Sequence, residues 1–208
     1  MKNSKAVSFH KKLLSEYDKK KNDIKNRLKE FSEKNSEKER FIELCFCICT
    51  PQSQAKKVAE IINLENFDFL ISSSQKDLEE KLRTKTRFHK NKAKYIISAR
   101  KHIKHISFLQ SDTIEAREWL VKNIKGLGYK EASHFLRNIG YRNLCIIDRH
   151  VINLMNEAKV FKSKIPPKNT KEYLDMELKI KNFAKKLNID VDELDLLLWS
   201  MRTGFIFK

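Results

Sequence analysis

Four glycines and three prolines are spread over 208 residues, and this scarcity limits the chain more than any other feature. A fold rich in hairpins needs residues that turn the backbone, Gly where φ must be positive and Pro where it must be fixed. A chain with so few of them, yet 40% apolar, is expected to form helices joined by short loops around a real core. At this length the core can serve one large domain or two small lobes.

The charge balance points outward. Forty-four Lys plus Arg against 27 Asp plus Glu leave a net charge of +17, which predicts attraction to a polyanion, with nucleic acid as first candidate. A Lys-rich proteome or a thermophilic host would also produce it. The N-terminus has no apolar run after its charges, and no segment reaches the roughly 18 apolar residues of a membrane span. A cytoplasmic, nucleoid-associated protein with no membrane partner is expected. Cys45, Cys47 and Cys49 follow an i, i+2, i+4 series unlike CxxC metal spacing, and Cys145 stands apart. They read as buried small hydrophobes, and no cofactor is expected.

Helical spacing recurs along the chain. Residues 5–34, with Val7, Phe9, Leu13, Leu14 and Tyr17, predict one or two amphipathic helices, broken near Asp18–Asp23. Residues 37–49 predict a buried helix. After Pro51, SQAKKVAEIINL opens another helix with Ser53 as its N-cap. Helices are also expected over 75–84, 170–188 and 192–202, and residues 89–106 carry Ala93, Ile96, Ile97 and Ile103 with basic residues between them.

Residues 112–150 carry most of the information. Asp112 caps a helix, DTIEAREWLVKNI, which leads through KGLGYK into a second helix, EASHFLRNIG. Gly126 and Gly128 put half of the chain's glycines into one turn. Such a turn tolerates positive φ and leaves amides uncovered at the start of the second helix, an anion site suited to a DNA phosphate. Trp119, Leu120, Ile124, Leu127, Ala132 and Phe135 are the apolar positions that would lock the two helices together. After the short apolar run LCII, Asp148 is placed to cap the helix RHVINLMNEA.

IKGLGYKEASHFL resembles the helix-hairpin-helix of the endonuclease III superfamily of DNA glycosylases. The similarity is closer still to the archaeal type 2 8-oxoguanine DNA glycosylases, through Tyr129–Asn138, the DRH motif at Asp148–His150 and the RTG-x-x-x-Lys tail at Arg202–Lys208. The resemblance covers nearly the whole chain. It implies an all-α, two-lobed helix-hairpin-helix fold, with one lobe over 37–137 and the other combining 1–36 with 138–208, and a cleft between them. It also implies excision of 8-oxoguanine from double-stranded DNA and lysis of abasic sites, by a monomer. Lys130 would be the nucleophile, because a neutral amine attacks C1′ and forms an imine readily. Lys125, Arg137 and His134 would help it shed its proton. Asp148 would be the carboxylate that stabilises positive charge on the sugar.

Further roles follow from the same resemblance. Phe88 and Trp199 would sandwich the base, and Lys208 would read it. An acceptor aimed at N7–H separates 8-oxoguanine from guanine; the α-carboxylate of Lys208 would offer one, and its ammonium would offer a donor. Gln52 would fill the hole left in the duplex, His150 would face a phosphate, and Gly126 and Gly128 would present the hairpin amides. No catalytic metal is implied, although a DNA-bridging cation could sit on the backbone carbonyls of Lys122, Ile124 and Leu127. Two alternatives stay open: an oxidised-pyrimidine glycosylase/lyase like endonuclease III, and a noncatalytic helix-hairpin-helix protein that only binds DNA.

Overall fold

The computed structural model describes residues 2–34, 36–107 and 112–208. Twelve α-helices and one 3-10 turn account for the regular structure of these residues, and no strand is found among them. The all-α expectation holds. No helix of the described residues is long and apolar enough to cross a membrane. The chain divides into two compact units, one of Met1–Ser32 with Gly140–Lys208, the other of Glu33–Ile139.

The Glu33–Ile139 unit is built on α2 (Glu37–Cys49), which packs against α3 (Ala55–Ala59), α6 (His89–Arg100), α7 (Ile103–Ser107) and α9 (Tyr129–Asn138). FIELCFCIC is apolar but for Glu43, and every residue from Phe41 to Cys49 is buried, as a helix surrounded by neighbours requires. Ser36 starts α2 with a capping box, its Oγ accepting from Glu39 N–H while the Glu39 carboxylate accepts from Ser36 N–H at 3.1 Å. The three thiols of α2 lie in this core, and burial drives those of Cys45 and Cys49 upward, the latter to about 12. They are packing groups. The 3-10 turn Leu64–Asn66, α4 (Phe67–Ser72), α5 (Gln75–Arg83) and α8 (Thr113–Asn123) complete the unit.

The other unit is organised by α12 (Val191–Thr203), which contacts α1 (Lys2–Ser32), α10 (Arg149–Glu157) and α11 (Thr170–Leu187). The break expected near Asp18–Asp23 does not occur, and α1 is one continuous helix of 31 residues. No Gly or Pro interrupts it, Lys is a good helix former, and tertiary contacts hold this stretch. Glu16 pairs with Lys20 at 3.0 Å, Tyr17 donates to Glu193, and Lys20 Nζ donates to Ser200 Oγ at 3.4 Å.

A second expectation fails at Ser53. The N-cap position of α3 falls to Gln54, with no side-chain capping bond. The Ser53 hydroxyl oxygen is taken instead by Lys92 Nζ at 2.8 Å and by Arg87 N–H at 3.0 Å. A tertiary contact to a buried cation outcompetes the local cap.

Candidate active site

The hairpin joins α8 to α9. Leu120, Ile124, Leu127, Ala132 and Phe135 are buried, so the expected interlock forms. Trp119 departs from it, since its ring stacks on His105 at 3.9 Å and meets His102 edge-on. Arg117, on the preceding turn, is buried with its guanidinium over the Tyr129 ring at 5.2 Å and an N–H donated to Ser133 Oγ at 3.3 Å.

The two glycines serve different purposes. Gly126 has φ +91°, and a Cβ there would lie within 3.0 Å of Tyr95 Cε2 and closer still to Cδ2. Gly128 has φ −94° and ψ −171°, extended backbone open to any residue. A Cβ on Gly128 would meet only Glu131 Oε2, at an ordinary 3.5 Å. The turn therefore requires Gly126, while the protein's own packing leaves Gly128 unexplained.

Lys130 is the second residue of α9, and its side chain is about one-third exposed. Its Nζ lies 2.8 Å from Glu131 Oε1, while Glu131 Oε2 accepts from Gly128 N–H at 3.4 Å. Glu131 thus spans the first turn of the helix and the ammonium. Two of the basic neighbours expected to help Lys130 have other partners. Arg137 is buried and donates to Asn138 Oδ1 at 3.0 and 3.1 Å, and His134 packs edge-on against Phe46. Asn138 passes a hydrogen bond to buried Glu43 at 2.8 Å, and Glu43 pairs with Lys34 at 2.8 Å. This buried network pins the far end of α9 to α2, so the helix that carries Lys130 is held at both ends.

Gln52 and Phe88 lie in the same unit, on loops at the two ends of one network. Both are non-glycine residues with left-handed backbone, φ 54° and φ 57°. Both are exposed, Phe88 at 55%. A bulky residue in this region is strained by about 1–3 kcal/mol and marks a candidate functional position. Phe88 is the residue from which α6 starts, with the Arg87 guanidinium 5.8 Å from its ring centre.

In the Met1–Ser32 and Gly140–Lys208 unit, Asp148 is the N-cap of α10. Its Oδ1 accepts from His150 N–H and Val151 N–H, both at 2.8 Å. Capping therefore fixes the carboxylate through one oxygen, and no described residue donates to the other. His150 is half-buried in the same first turn. The run that leads into Asp148 is not paired in a sheet. Its amides are received one after another by carboxylates of α11 and α12: Asn143 and Leu144 by Asp192 at 2.7 and 3.3 Å, Cys145 by Glu177 at 3.2 Å, Ile146 by Asp195 at 3.0 Å. Tyr173 OH adds a bond to the Cys145 carbonyl at 2.6 Å. Burial raises the Asp192 carboxyl to about 6, against the pull of the Asn143 and Leu144 amides toward its ionised form.

Trp199, near the end of α12, meets Phe205 edge-on at 5.3 Å and lies nearly parallel to Phe207 at 6.3 Å. The segment carrying Lys208 therefore folds back over the Trp199 ring.

A G-x-G hairpin opening a helix that carries a lysine, on an all-helical scaffold with net charge +17, defines a helix-hairpin-helix protein. The family profile described as 8-oxoguanine DNA glycosylase matches residues 24–189, and the chain belongs to that family. An 8-oxoguanine DNA glycosylase/AP lyase of Fusobacterium nucleatum is 40% identical over 198 residues, covering 89% of this chain and 91% of that protein. The crystal structure of the 8-oxoguanine DNA glycosylase of Thermotoga maritima superposes with a TM-score of 0.90 at 31% identity, covering 98% of this chain and 100% of that one. The Methanocaldococcus jannaschii 8-oxoguanine glycosylase/lyase, in complex with a 15mer DNA containing 8-oxoguanine, gives 0.85 at 37% identity, covering 94% and 99%.

Three contributors were missed by reading the sequence. Glu131 had a signal, because an acid three residues after Gly128 marks a helix start. Lys92 and Tyr95 had none, since Lys92 is one of 44 basic residues and Tyr95 matters only through what it touches.

Proposed function

We propose that this protein is a bifunctional DNA glycosylase and abasic-site lyase that removes 8-oxoguanine from double-stranded DNA, with Lys130 as nucleophile and Asp148 as catalytic carboxylate. Membership of the 8-oxoguanine DNA glycosylase family carries the reading. The names of the relatives and the DNA bound to the Methanocaldococcus jannaschii protein support its substrate. Endonuclease III-like action on oxidised pyrimidines has no comparable support.

The chemistry starts with extrusion of the damaged nucleotide, at a cost of a few kcal/mol. Phe88 and Trp199 would then stack on the base, Lys208 would read it, and Gln52 would fill the vacated stack. The hairpin amides at Gly126 and Gly128, with His150, would hold phosphates. Extended backbone without a side chain at Gly128 suits this, because a phosphate can approach its N–H closely once Glu131 swings aside.

Lys130 first yields its ammonium proton, for which the Glu131 carboxylate is the adjacent acceptor. The amine lone pair attacks C1′ and the C1′–N9 bond breaks, its electron pair leaving with the base, which takes up a proton. Positive charge grows on the sugar in this step and the free oxygen of Asp148 stabilises it. Ring opening gives the Schiff base. Loss of a C2′ proton then expels the 3′-phosphate, and water hydrolyses the imine to free Lys130.

A cation on the Lys122, Ile124 and Leu127 carbonyls would fit the hairpin. The Ile124 carbonyl accepts one bond, from Leu127 N–H at 3.3 Å, and keeps a second lone pair. Such an ion would bridge hairpin and phosphate and takes no part in the bond changes.

Borohydride reduction in the presence of an 8-oxoguanine duplex tests the reading. The wild type should be trapped as a covalent adduct, and Lys130→Gln should lose trapping and cleavage while binding DNA. An adduct formed by Lys130→Gln would assign the nucleophile to another amine.

A further inference from the structure

Lys92 sits one turn into α6 and is only 4% exposed. Its Nζ donates to the Cys49 carbonyl at 2.7 Å, the Pro51 carbonyl at 2.9 Å and Ser53 Oγ at 2.8 Å. An ammonium has three protons, and these three oxygens account for them. All three acceptors are neutral, so no carboxylate offsets the burial. Filling the same space with an apolar side chain would avoid the desolvation of a charge. What the buried ammonium supplies in return is geometry.

Two of its acceptors, on Pro51 and Ser53, immediately flank Gln52, whose φ is 54°. Ser53 Oγ uses its second lone pair for Arg87 N–H at 3.0 Å, and Arg87 precedes Phe88, whose φ is 57°. One ammonium and one hydroxyl therefore tie together Gln52 and Phe88, the two exposed left-handed non-glycine residues among those described in this unit. Such conformations persist only where surrounding contacts over-determine them. Farther along α6, Tyr95 packs against Gly126 of the hairpin, so the helix that holds the clamp also supports the phosphate turn.

We infer that Lys92 is a positioning residue for lesion capture: through Ser53 it locks Gln52 and Phe88 as one rigid pair, so that filling the duplex and stacking on the extruded base occur together. The inference rests on the roles proposed above for Gln52 and Phe88. It adds that the two act as a unit and names the residues that make them one. A glycosidic bond can break only after extrusion, whereas a preformed abasic site has no base to capture. The clamp should matter for the first substrate and little for the second.

Two variants test it. Ser53→Ala keeps both carbonyl bonds of Lys92 and removes the link to Arg87; Lys92→Met keeps an unbranched side chain one atom shorter and removes all three bonds. Three readouts are needed: single-turnover excision from an 8-oxoguanine duplex, β-elimination on a preformed abasic duplex, and fluorescence of 2-aminopurine placed beside the lesion to report unstacking. Ser53→Ala should slow excision about tenfold, as loss of a bond linked to a charged group would, and lower the unstacking signal at saturating protein. Its abasic cleavage should stay within about twofold of the parent. Lys92→Met should show the same pattern more strongly, and if it fails to fold Ser53→Ala decides alone. Excision and unstacking at parental levels in Ser53→Ala overturn the clamp, and so does equal loss on both substrates, which marks simple structural damage. A parent that cleaves abasic DNA but releases no 8-oxoguanine overturns the proposed function first, and the clamp with it.

Discussion

The ring of Tyr95 fills the space that a Cβ on Gly126 would need, while nothing in the protein crowds the same position on Gly128. Gly126→Ala faces both that ring and a positive φ, and should destabilise the fold by about 1–3 kcal/mol. Gly128→Ala has neither difficulty and should unfold close to the wild type, within about 0.5–1 kcal/mol. If Gly128 is bare to admit a phosphate, its variant should nonetheless bind duplex DNA more weakly. Thermal unfolding and DNA affinity at one fixed salt concentration separate the two. Wild-type affinity in Gly128→Ala would remove that amide from the interface.

Helix identity was legible in the sequence wherever local signals agreed. The α2 run and the capped starts at Asp112 and Asp148 form as local pattern predicts, because capping and apolar periodicity act over a few residues. The misreadings share a different cause. Ser53 looked like a cap until a lysine 39 positions away claimed its hydroxyl. The carboxylate ladder from Asp192, Glu177 and Asp195 to the Asn143–Ile146 amides joins residues 32–49 apart, beyond any local window. Lys130 is singled out by its place after the hairpin, but its contact with Glu131 depends on side-chain geometry that spacing cannot supply.

Asp148 combines a cap with a proposed catalytic charge, and Asp148→Asn can part them. The amide oxygen of Asn can still accept from His150 and Val151, since Asn is as good an N-cap as Asp. Stability should therefore fall by no more than about 1 kcal/mol. Removing the negative charge from a growing cationic sugar should slow single-turnover excision by roughly a hundredfold or more. Near-normal excision by Asp148→Asn would reduce the residue to a cap.

The Asp192 carboxyl links stability to pH. Its value of about 6 in the folded chain lies above the ordinary 3.8, so between those values the folded state holds a proton that the unfolded state has lost. Its contribution is fully present below about pH 3.8 and fades as pH rises through 6. The span corresponds to at most about 3 kcal/mol. Unfolding free energies of the wild type and Asp192→Asn should be compared at pH 4 and pH 7. The wild type should lose stability relative to the variant as pH rises; a constant or opposite difference would show that burial does not dominate at this carboxyl.

The C-terminal segment offers the last test, because three aromatic rings place it. Gly204 turns the chain at φ +84°, and the Thr203 hydroxyl donates to the Trp199 carbonyl at 3.0 Å. Phe205 and Phe207 then pack on the Trp199 ring. If Lys208 reads the base, its position depends on these contacts as much as on its own charge. Phe207→Ala removes its ring contacts with both Trp199 and Phe205, each pair worth about 0.5–1.5 kcal/mol, and should slow 8-oxoguanine excision by up to about tenfold. Lys208→Ala keeps the α-carboxylate but removes the ammonium donor, and should cost about 1.5–3 kcal/mol, roughly ten- to hundredfold. Both variants should cleave a preformed abasic site nearly as well as the wild type, since no base remains to be read there. Comparable losses on the two substrates would mean that the segment only stabilises α12. Excision by Lys208→Ala at the wild-type rate would show that its ammonium does not read the base.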